Sequence, residues 1–276
     1  MVWKQYRRVD VGDLSIEDLD VEITVETNRD GKLTFDVSFW NLTGASWRQI
    51  RTGDDCRVVL GWENGPTRSV VQGVVRKKKK EVDGTDVRFQ VQGKDRSDEQ
   101  TRRRFSKTLR GKSPDQIARY IAGQVGLTTG EIEPVGETID GNWTISKDRP
   151  ARYWLDQLVE EAQKRTDTAW EWLVEAGKLY FVTRDGRKEE TVKLSFDDAL
   201  VSIGEADGET QAETSELTFE ALCEPRLRRG STVVVDADEY QGAYSLTKYT
   251  FVSDTGTGDH YVEGRLAPLD VEYTIR

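Results

Sequence analysis

His260 is the only histidine in the chain and sits in Gly256-Thr-Gly-Asp-His-Tyr261, with Asp254 and Asp259 close by. An imidazole beside a carboxylate is the pairing that general-base catalysis uses most often. A lone histidine after a Gly-rich turn is more simply the first residue of a strand, and that is the expectation. Asp156, Glu160 and Glu161 stand among aromatic residues and could supply the carboxylates of glycoside hydrolysis; on a helix they form its wet face instead. Cys56 and Cys223 are far apart, and with one histidine they give no zinc spacing. Each opens a strand-like run and reads as a buried free thiol. The Asp/Gly stretches lack the calcium-loop pattern. Gly111-Lys-Ser113 ends like a phosphate loop, but Lys107-Thr-Leu-Arg110 stands where the glycines should be. There is no nucleophile elbow. The sequence therefore assigns no catalytic, cofactor-binding or metal residue, and the chain reads as a non-enzyme.

The elements that would position such residues are mostly strands. Residues 1 to about 95 read as β throughout. Leu19, Val21, Ile23 and Val25 alternate with polar residues, Asp30-Gly31 makes a turn, and Leu33, Phe35, Val37 and Phe39 alternate back. Arg57 to Trp62 and Thr67 to Arg76 form a second hairpin around Asn64-Gly-Pro66, and Asp83-Gly84 leads into Val87 through Val91. Six strands with polar turns predict a closed or nearly closed antiparallel barrel. Lys77-Lys-Lys-Lys-Glu81 ends a strand before the last turn and reads as a solvated hairpin tip, with contact to an acidic neighbour or to passing DNA as the alternative.

From residue 95 the pattern turns helical. Ser113-Pro114 starts a helix whose face carries Ile117, Tyr120, Ile121 and Val125, and Gly126 stops it. A second helix begins near Arg149-Pro150, with Tyr153, Trp154, Leu155, Leu158, Val159 and Ala162 as its apolar stripe. Trp170-Glu-Trp172 and Lys178-Leu-Tyr-Phe-Val182 predict a hairpin with aromatic cross-strand pairs. Residues 204–213 are polar and read as a linker. Beyond it, Leu222-Cys-Glu-Pro-Arg-Leu-Arg-Arg-Gly230, Val233-Val-Val235 and Gln241-Gly-Ala-Tyr244 repeat the grammar of Arg51 to Val91, which points to an internal duplication. The expected domains are 1–95, a first β-barrel; 96–203, a helical and hairpin middle; and 204–276, a second barrel with room for strands from the middle.

The chain has 276 residues and a formal charge of -10. That length buries cores without disulfides, and the charge argues against whole-chain attraction to nucleic acid or anionic membrane. No window reaches the length of a membrane span. The acidic surface is compatible with a salt-loving host, weakly so given the lysines.

The order of these features resembles the tail baseplate hub proteins of tailed viruses, the family that includes the hub portion of type VI secretion spikes. Thr52-Gly-Asp54 with Val58-Val-Leu60, Val71-Gln-Gly-Val-Val75 and Gln92-Gly-Lys-Asp95 are similar to the family's first barrel. Ser113-Pro-Asp-Gln-Ile117 through Gly126-Leu127, Pro150-Ala-Arg-Tyr-Trp-Leu155 and the Trp170–Phe181 hairpin are similar to its middle. Leu222 to Gly230 with Gly242-Ala-Tyr244 is similar to the opening of its second barrel.

The resemblance implies a mainly β chain with an α+β middle, in which two tail-tube-like antiparallel β-barrels flank a small helical and hairpin region. It implies a homotrimer whose six barrels adapt a sixfold tail tube to a threefold tip and form part of the DNA channel. The implied partners are tail tube and distal tail proteins, a tip or spike protein, the tape measure protein and viral DNA in transit; no cofactor is implied. The implied location is the virion tail tip, with assembly in the host cytoplasm. Because the chain ends at Arg276, soon after the second barrel, the tip is expected to be a separate protein. An acidic lumen would let DNA pass without sticking. Trp40, Trp47, Trp62 and Trp143 are the candidate interface anchors, and Arg226, Arg228 and Arg229 the candidate charged contacts. Two alternatives stand beside the hub: a carbohydrate-binding or carbohydrate-active surface protein using its tryptophans, and a distal tail or tail tube protein with one barrel per chain.

Overall fold

The computed structural model describes residues 4–27, 32–84, 86–175, 177–183, 191–206, 216–237 and 239–269. The chain forms two compact units, Met1–Asp95 with Lys188–Arg276, and Arg96–Arg187. The first unit opens with β1 (Gln5–Val11), β2 (Leu14–Ile16), β3 (Val21–Thr27), β4 (Leu33–Trp40), a short helix α1 (Gly44–Gln49), β5 (Asp55–Trp62), β6 (Thr67–Asp83) and β7 (Asp86–Asp95). The second unit holds α2 (Ser97–Thr101), β8 (Lys107–Arg110), α3 (Pro114–Val125), β9 (Thr128–Ile132), β10 (Asn142–Ile145), α4 (Ala151–Thr166), β11 (Trp170–Glu175) and β12 (Lys178–Thr183). The chain then returns to the first unit through β13 (Val192–Ser195), β14 (Leu200–Glu205), β15 (Leu217–Leu222), β16 (Thr232–Ala237), β17 (Tyr240–Asp254) and β18 (His260–Pro268).

The alternation seen in the sequence becomes an inside and an outside. Val21, Ile23 and Val25 on β3 and Leu33, Phe35, Val37 and Phe39 on β4 are buried, and the strands pair from Val21 opposite Phe39 to Thr27 opposite Leu33. The Asp30-Gly31 turn lies outside the described residues. Helix α1 departs from the all-β expectation for this region. The Thr43 hydroxyl caps it by accepting from the Ser46 amide at 3.1 Å, and none of its residues is buried, so no apolar stripe marks it in the sequence. Strand β6 also runs past the expected end at Arg76 to Asp83, with a bulge at Arg76 where the register to β7 shifts. The lysine run ends that strand before the turn at Gly84, as expected.

Thirteen strands share one sheet, and it is built twice. The first seven strands are ordered β3-β4-β7-β6-β5-β1-β2, and β14-β15-β18-β17 continues through β16 to β13. The order 3-4-7-6-5-1 thus recurs as 14-15-18-17-16-13. A residue-level signature goes with it. Phe35 faces Gly93 across β4 and β7, and Phe219 faces Gly264 across β15 and β18. A Cβ at Gly93 would stand 2.2 Å from Phe35 Cζ, and one at Gly264 2.8 Å from Phe219 Cε1. In both places the ring lies over bare backbone, which only glycine allows. The one change of direction is at the end: β1 runs antiparallel to β5, whereas β13 runs parallel to β16.

The halves join through β3 and β17, paired antiparallel from Thr250 opposite Glu26 to Asp254 opposite Glu22. Of the closed or nearly closed antiparallel barrels expected, the mainly β antiparallel architecture is found and the closed form is not. An edge takes one partner, and the β3 edge that would close the first half is occupied by β17; among the described residues, no pairing closes either half. One apolar core runs under the whole sheet, from Val9 and Val58 through Ile23 and Phe39 to Phe251 and Leu266. Residues 204 and 205 lie in β14, and 207–215 fall outside the described residues; the flanking strands β14 and β15 pair with each other.

In the unit Arg96–Arg187, Pro114 sits at the first turn of α3, and Gly126 stops the helix at φ 80°. Helix α4 follows Pro150 and ends at Asp167, φ 51°. Ile117, Ile121, Val125, Leu155 and Leu158 are fully buried with Trp170 and Phe181 from the β11–β12 hairpin. Trp172 pairs with Phe181 in register, and the Trp170 and Phe181 rings lie 5.2 Å apart. Strand β9 adds to β12 in parallel.

Candidate functional site

The region richest in polar chemistry is the seam where the two halves of the sheet meet. His260 is the first residue of β18 and 4% exposed, and Ser253 on β17 is fully buried. His260 Nε2 lies 2.8 Å from the Gly61 carbonyl oxygen, so that nitrogen carries the proton and donates. Nδ1 lies 2.8 Å from Ser253 Oγ and accepts from the hydroxyl. The Arg7 guanidinium donates to the same Ser253 oxygen and, at 3.3 Å each, to the carbonyls of Asp254 and Asp259. The order Arg7, Ser253, His260, Gly61 thus crosses from the first half to the second and back, and it needs a neutral imidazole. Burial lowers the His260 pKa to about 4, the Gly61 carbonyl opposes that shift, and the nearby Arg7 charge adds to it.

A serine bonded to a histidine invites comparison with a nucleophile and its base. The geometry here is different. The Asp254 and Asp259 carboxylates accept from the Gly256 amide at 2.7 Å and the Thr257 hydroxyl at 2.6 Å rather than from His260. A lone pair of Ser253 Oγ is taken by the Arg7 guanidinium, which weakens the oxygen as a nucleophile, and no substrate reaches a fully buried hydroxyl. The cluster is a clamp. Trp62, on β5, extends it: its Nε1 donates to the Cys223 carbonyl at 2.8 Å, and its ring meets His260 edge-on at 4.8 Å. Thr27 and Tyr249 exchange two bonds of 3.1 and 2.9 Å across the same seam. Both cysteines are buried free thiols, with burial raising the Cys56 pKa to about 12.

The candidate interface residues fall in three places. Trp62 and Arg228 belong to the seam, Arg228 donating to the Ser69 carbonyl at 2.7 Å as well as to Pro225 and Leu227. Arg226 is held by Glu224 through bonds of 2.8 and 2.6 Å, and Arg229 is half-buried in the same loop. Trp40 and Trp47 are half-buried. Arg88 lies over the Trp40 ring at 5.5 Å, and Trp47 packs 4.9 Å from Phe89 with Lys78 Nζ over its other contact face at 4.6 Å. Trp143 belongs to the other unit, beside Trp154 at 6.4 Å, and its buried Nε1 has no hydrogen-bond partner among the described residues. Among the described residues no tryptophan stands exposed as a sugar platform. On α4, Asp156 accepts from Trp172 Nε1 at 2.7 Å, and Glu161 pairs with Lys164 and Arg165 of its own helix, so these carboxylates form no facing pair.

The sequence carried no sign of Arg7, Ser253 or Thr27, each a polar residue on a strand with its partner far along the chain. Nor did it show which strand edges stay unpaired: among the described residues, β14 pairs only with β15, and β6 beyond Val75 only with β7. On the exposed part of β6, Lys78 donates to the Ile50 carbonyl at 2.7 Å, Lys80 lies 5.6 Å over the Phe89 ring, and Lys79 pairs with Glu81.

Several solved structures share this fold. A 43 kDa tail protein of prophage MuSo2 from Shewanella oneidensis matches 96% of this chain and 98% of its own length, with TM-score 0.71 and 12% identity. A tail protein from Neisseria meningitidis matches 96% and 97%, with TM-score 0.68 and 13% identity. A component of the Escherichia coli type VI secretion system, described as similar to T4 bacteriophage tail proteins, matches 97% of this chain and 78% of its own, with TM-score 0.62 and 13% identity. No known family and no curated protein matches the sequence itself. The chain has the fold of phage tail proteins, as its order of motifs implied.

Proposed function

We propose that this chain is a structural protein of a phage-type tail, the hub of its tip or baseplate, in which three copies adapt a sixfold tube to a threefold tip. The observation that carries the reading is the duplication: two halves of equal strand order in one chain turn three copies into six near-equivalent parts. The likeness to the prophage and meningococcal tail proteins over nearly the full length of both supports it. A distal tail or tube protein with one such half per chain does not account for the second half. In this reading the tube, the tip or spike and the tape measure are the neighbours, the virion tail is the location, and viral DNA passes without being read. Glu26, Asp36 and Glu263 lie on the face of the sheet away from the core, beside a Glu22 paired with Arg88, where they would repel a phosphate backbone.

Light scattering coupled to size exclusion, over a series of concentrations, tests the reading. A mass of three chains is expected. Six chains would point to a tube or distal tail protein, and a monomer with saturable glycan binding would replace the reading by a carbohydrate-binding one.

A further inference from the structure

We infer that the basic face of the unit Arg96–Arg187, formed by the β8–β10 ribbon and the start of α4, docks a short acidic peptide segment of another protein. The sequence sets its charge. Residues 102–112 hold Arg102, Arg103, Arg104, Lys107, Arg110 and Lys112 without an acid between them, and residues 147–152 add Lys147, Arg149 and Arg152 around Asp148. The fold lays these two stretches side by side. Strands β8 and β10 pair from Lys107 opposite Ile145 to Arg110 opposite Asn142. Beyond them the Lys147 amide donates to Ser106 Oγ at 3.1 Å, and the Ala151 amide to the Arg103 carbonyl at 2.9 Å. Leu109 and Trp143 turn inward onto the core of this unit, so Thr108, Arg110, Asn142 and Thr144 face out, and all four are exposed.

Three observations set this face apart from an ordinary solvated one. Its cations lack acids. Glu161 pairs with Lys164 and Arg165 toward the far end of α4, whereas among the described residues no ion pair reaches Lys107, Arg110, Lys112, Lys147, Arg149 or Arg152. The Asp148 carboxylate accepts from Ser146 Oγ at 2.8 Å instead, and its carbonyl from Arg104 at 3.1 Å. Next, α4 has no acidic residue in its first turn, where the macrodipole favours one; Arg152 stands there, at a cost to the helix. Finally, Tyr153 is 37% exposed beside these cations, with Arg149 5.2 Å over its ring.

The partner follows from the charges. Unpaired cations gathered on one face complement an acid from outside, and arginine takes a carboxylate with two parallel bonds. The whole chain carries -10, which opposes a long polyanion such as duplex DNA. A short acidic peptide feels only the charges within a Debye length, about 8 Å at physiological salt, and here those are mostly positive. The ribbon from Arg104 to Arg110 has room for about six extended residues.

Fluorescence anisotropy of a short labelled Glu-Ala repeat, titrated with the full-length chain at low salt, tests the inference. Saturable binding that weakens as salt rises is expected. Arg110→Glu with Lys147→Glu should weaken it about tenfold or more, and Lys164→Glu, near the other end of α4, should leave it unchanged. Lys112→Glu with Arg149→Glu is a second pair in case the first disturbs the fold, with the same loss expected. No saturation by about 1 mM, equal binding by the reversed and native chains, or tighter binding of a duplex DNA of equal charge overturns the inference. It draws nothing from the hub reading, whose mass test succeeds or fails independently.

Discussion

Strands β6 and β17 occupy equivalent places, and their second halves could hardly differ more. Thr250–Asp254 lies between β18 and β3 and reads Thr-Phe-Val-Ser-Asp; Lys77–Glu81 has β7 on one side, nothing on the other among the described residues, and reads Lys-Lys-Lys-Lys-Glu. Phe251 is fully buried where its counterpart Lys78 reaches over the Trp47 ring. The backbone position is the same; the occupant of the edge selects the side chain. Lysine on an open edge discourages unwanted pairing and still admits a partner of opposite charge.

The comparison breaks or sharpens under four changes. Phe251→Ala should cost about 3–5 kcal/mol in urea unfolding, the usual toll of an aromatic cavity in a closed core. Gly93→Ala and Gly264→Ala should come next, each at about 2–3 kcal/mol, because the new methyl meets a ring and, at 2.3 and 2.4 Å, a carbonyl oxygen. Similar losses at the two sites would show that the duplicated device is mechanically the same in both halves; a loss at one alone would break that equivalence.

The third change is pH. His260 has a folded pKa of about 4 against an ordinary value of 6.5, so the unfolded chain binds the extra proton first. Its contribution is fully present above pH 6.5 and is lost as pH falls toward 4, by about 3 kcal/mol. Urea midpoints measured over that range should show the slope, and His260→Phe should flatten it. A slope unchanged by the substitution would mean the seam is not what acid loosens. Lys78→Ala is the smallest effect: loss of the bond to the Ile50 carbonyl and of the contact with the Trp47 ring should cost about 1 kcal/mol in the same assay. A loss near that of Phe251→Ala would show the open edge to be as much part of the core as the covered one.

What could be read from the sequence was local. The alternation of β3 and β4, the Pro and Gly that bound α3, and the aromatic hairpin β11–β12 depend on residues within a few positions of one another, and all are found. The repeated grammar of Val58–Leu60 and Val233–Val235 also falls on equivalent strands, β5 and β16. The β3–β17 ladder could not be read. Alternation tells which face of a strand is apolar and nothing of which strand lies beside it, and these partners are more than 220 positions apart. Arg7, Ser253 and His260 were hidden for the same reason, since a polar residue pointing inward has meaning only once its partner is known. Trp62 was singled out for its type, and the structure places it in a seam within the chain. The lysine run lies at the end of a strand before the turn, as its position beside Asp83-Gly84 implied, but its charge pattern did not tell that β6 has no second strand beside it there among the described residues.

The seam between β3 and β17 also has a consequence for assembly at low copy number. Its two strands are tethered in one polypeptide, so their encounter is unimolecular and proceeds at an effective concentration that dilution does not alter. A junction between separate copies has no such tether and follows mass action. In the ring of three copies proposed above, fusing two halves would therefore remove every second association step. It leaves half as many junctions whose formation waits on the supply of chains.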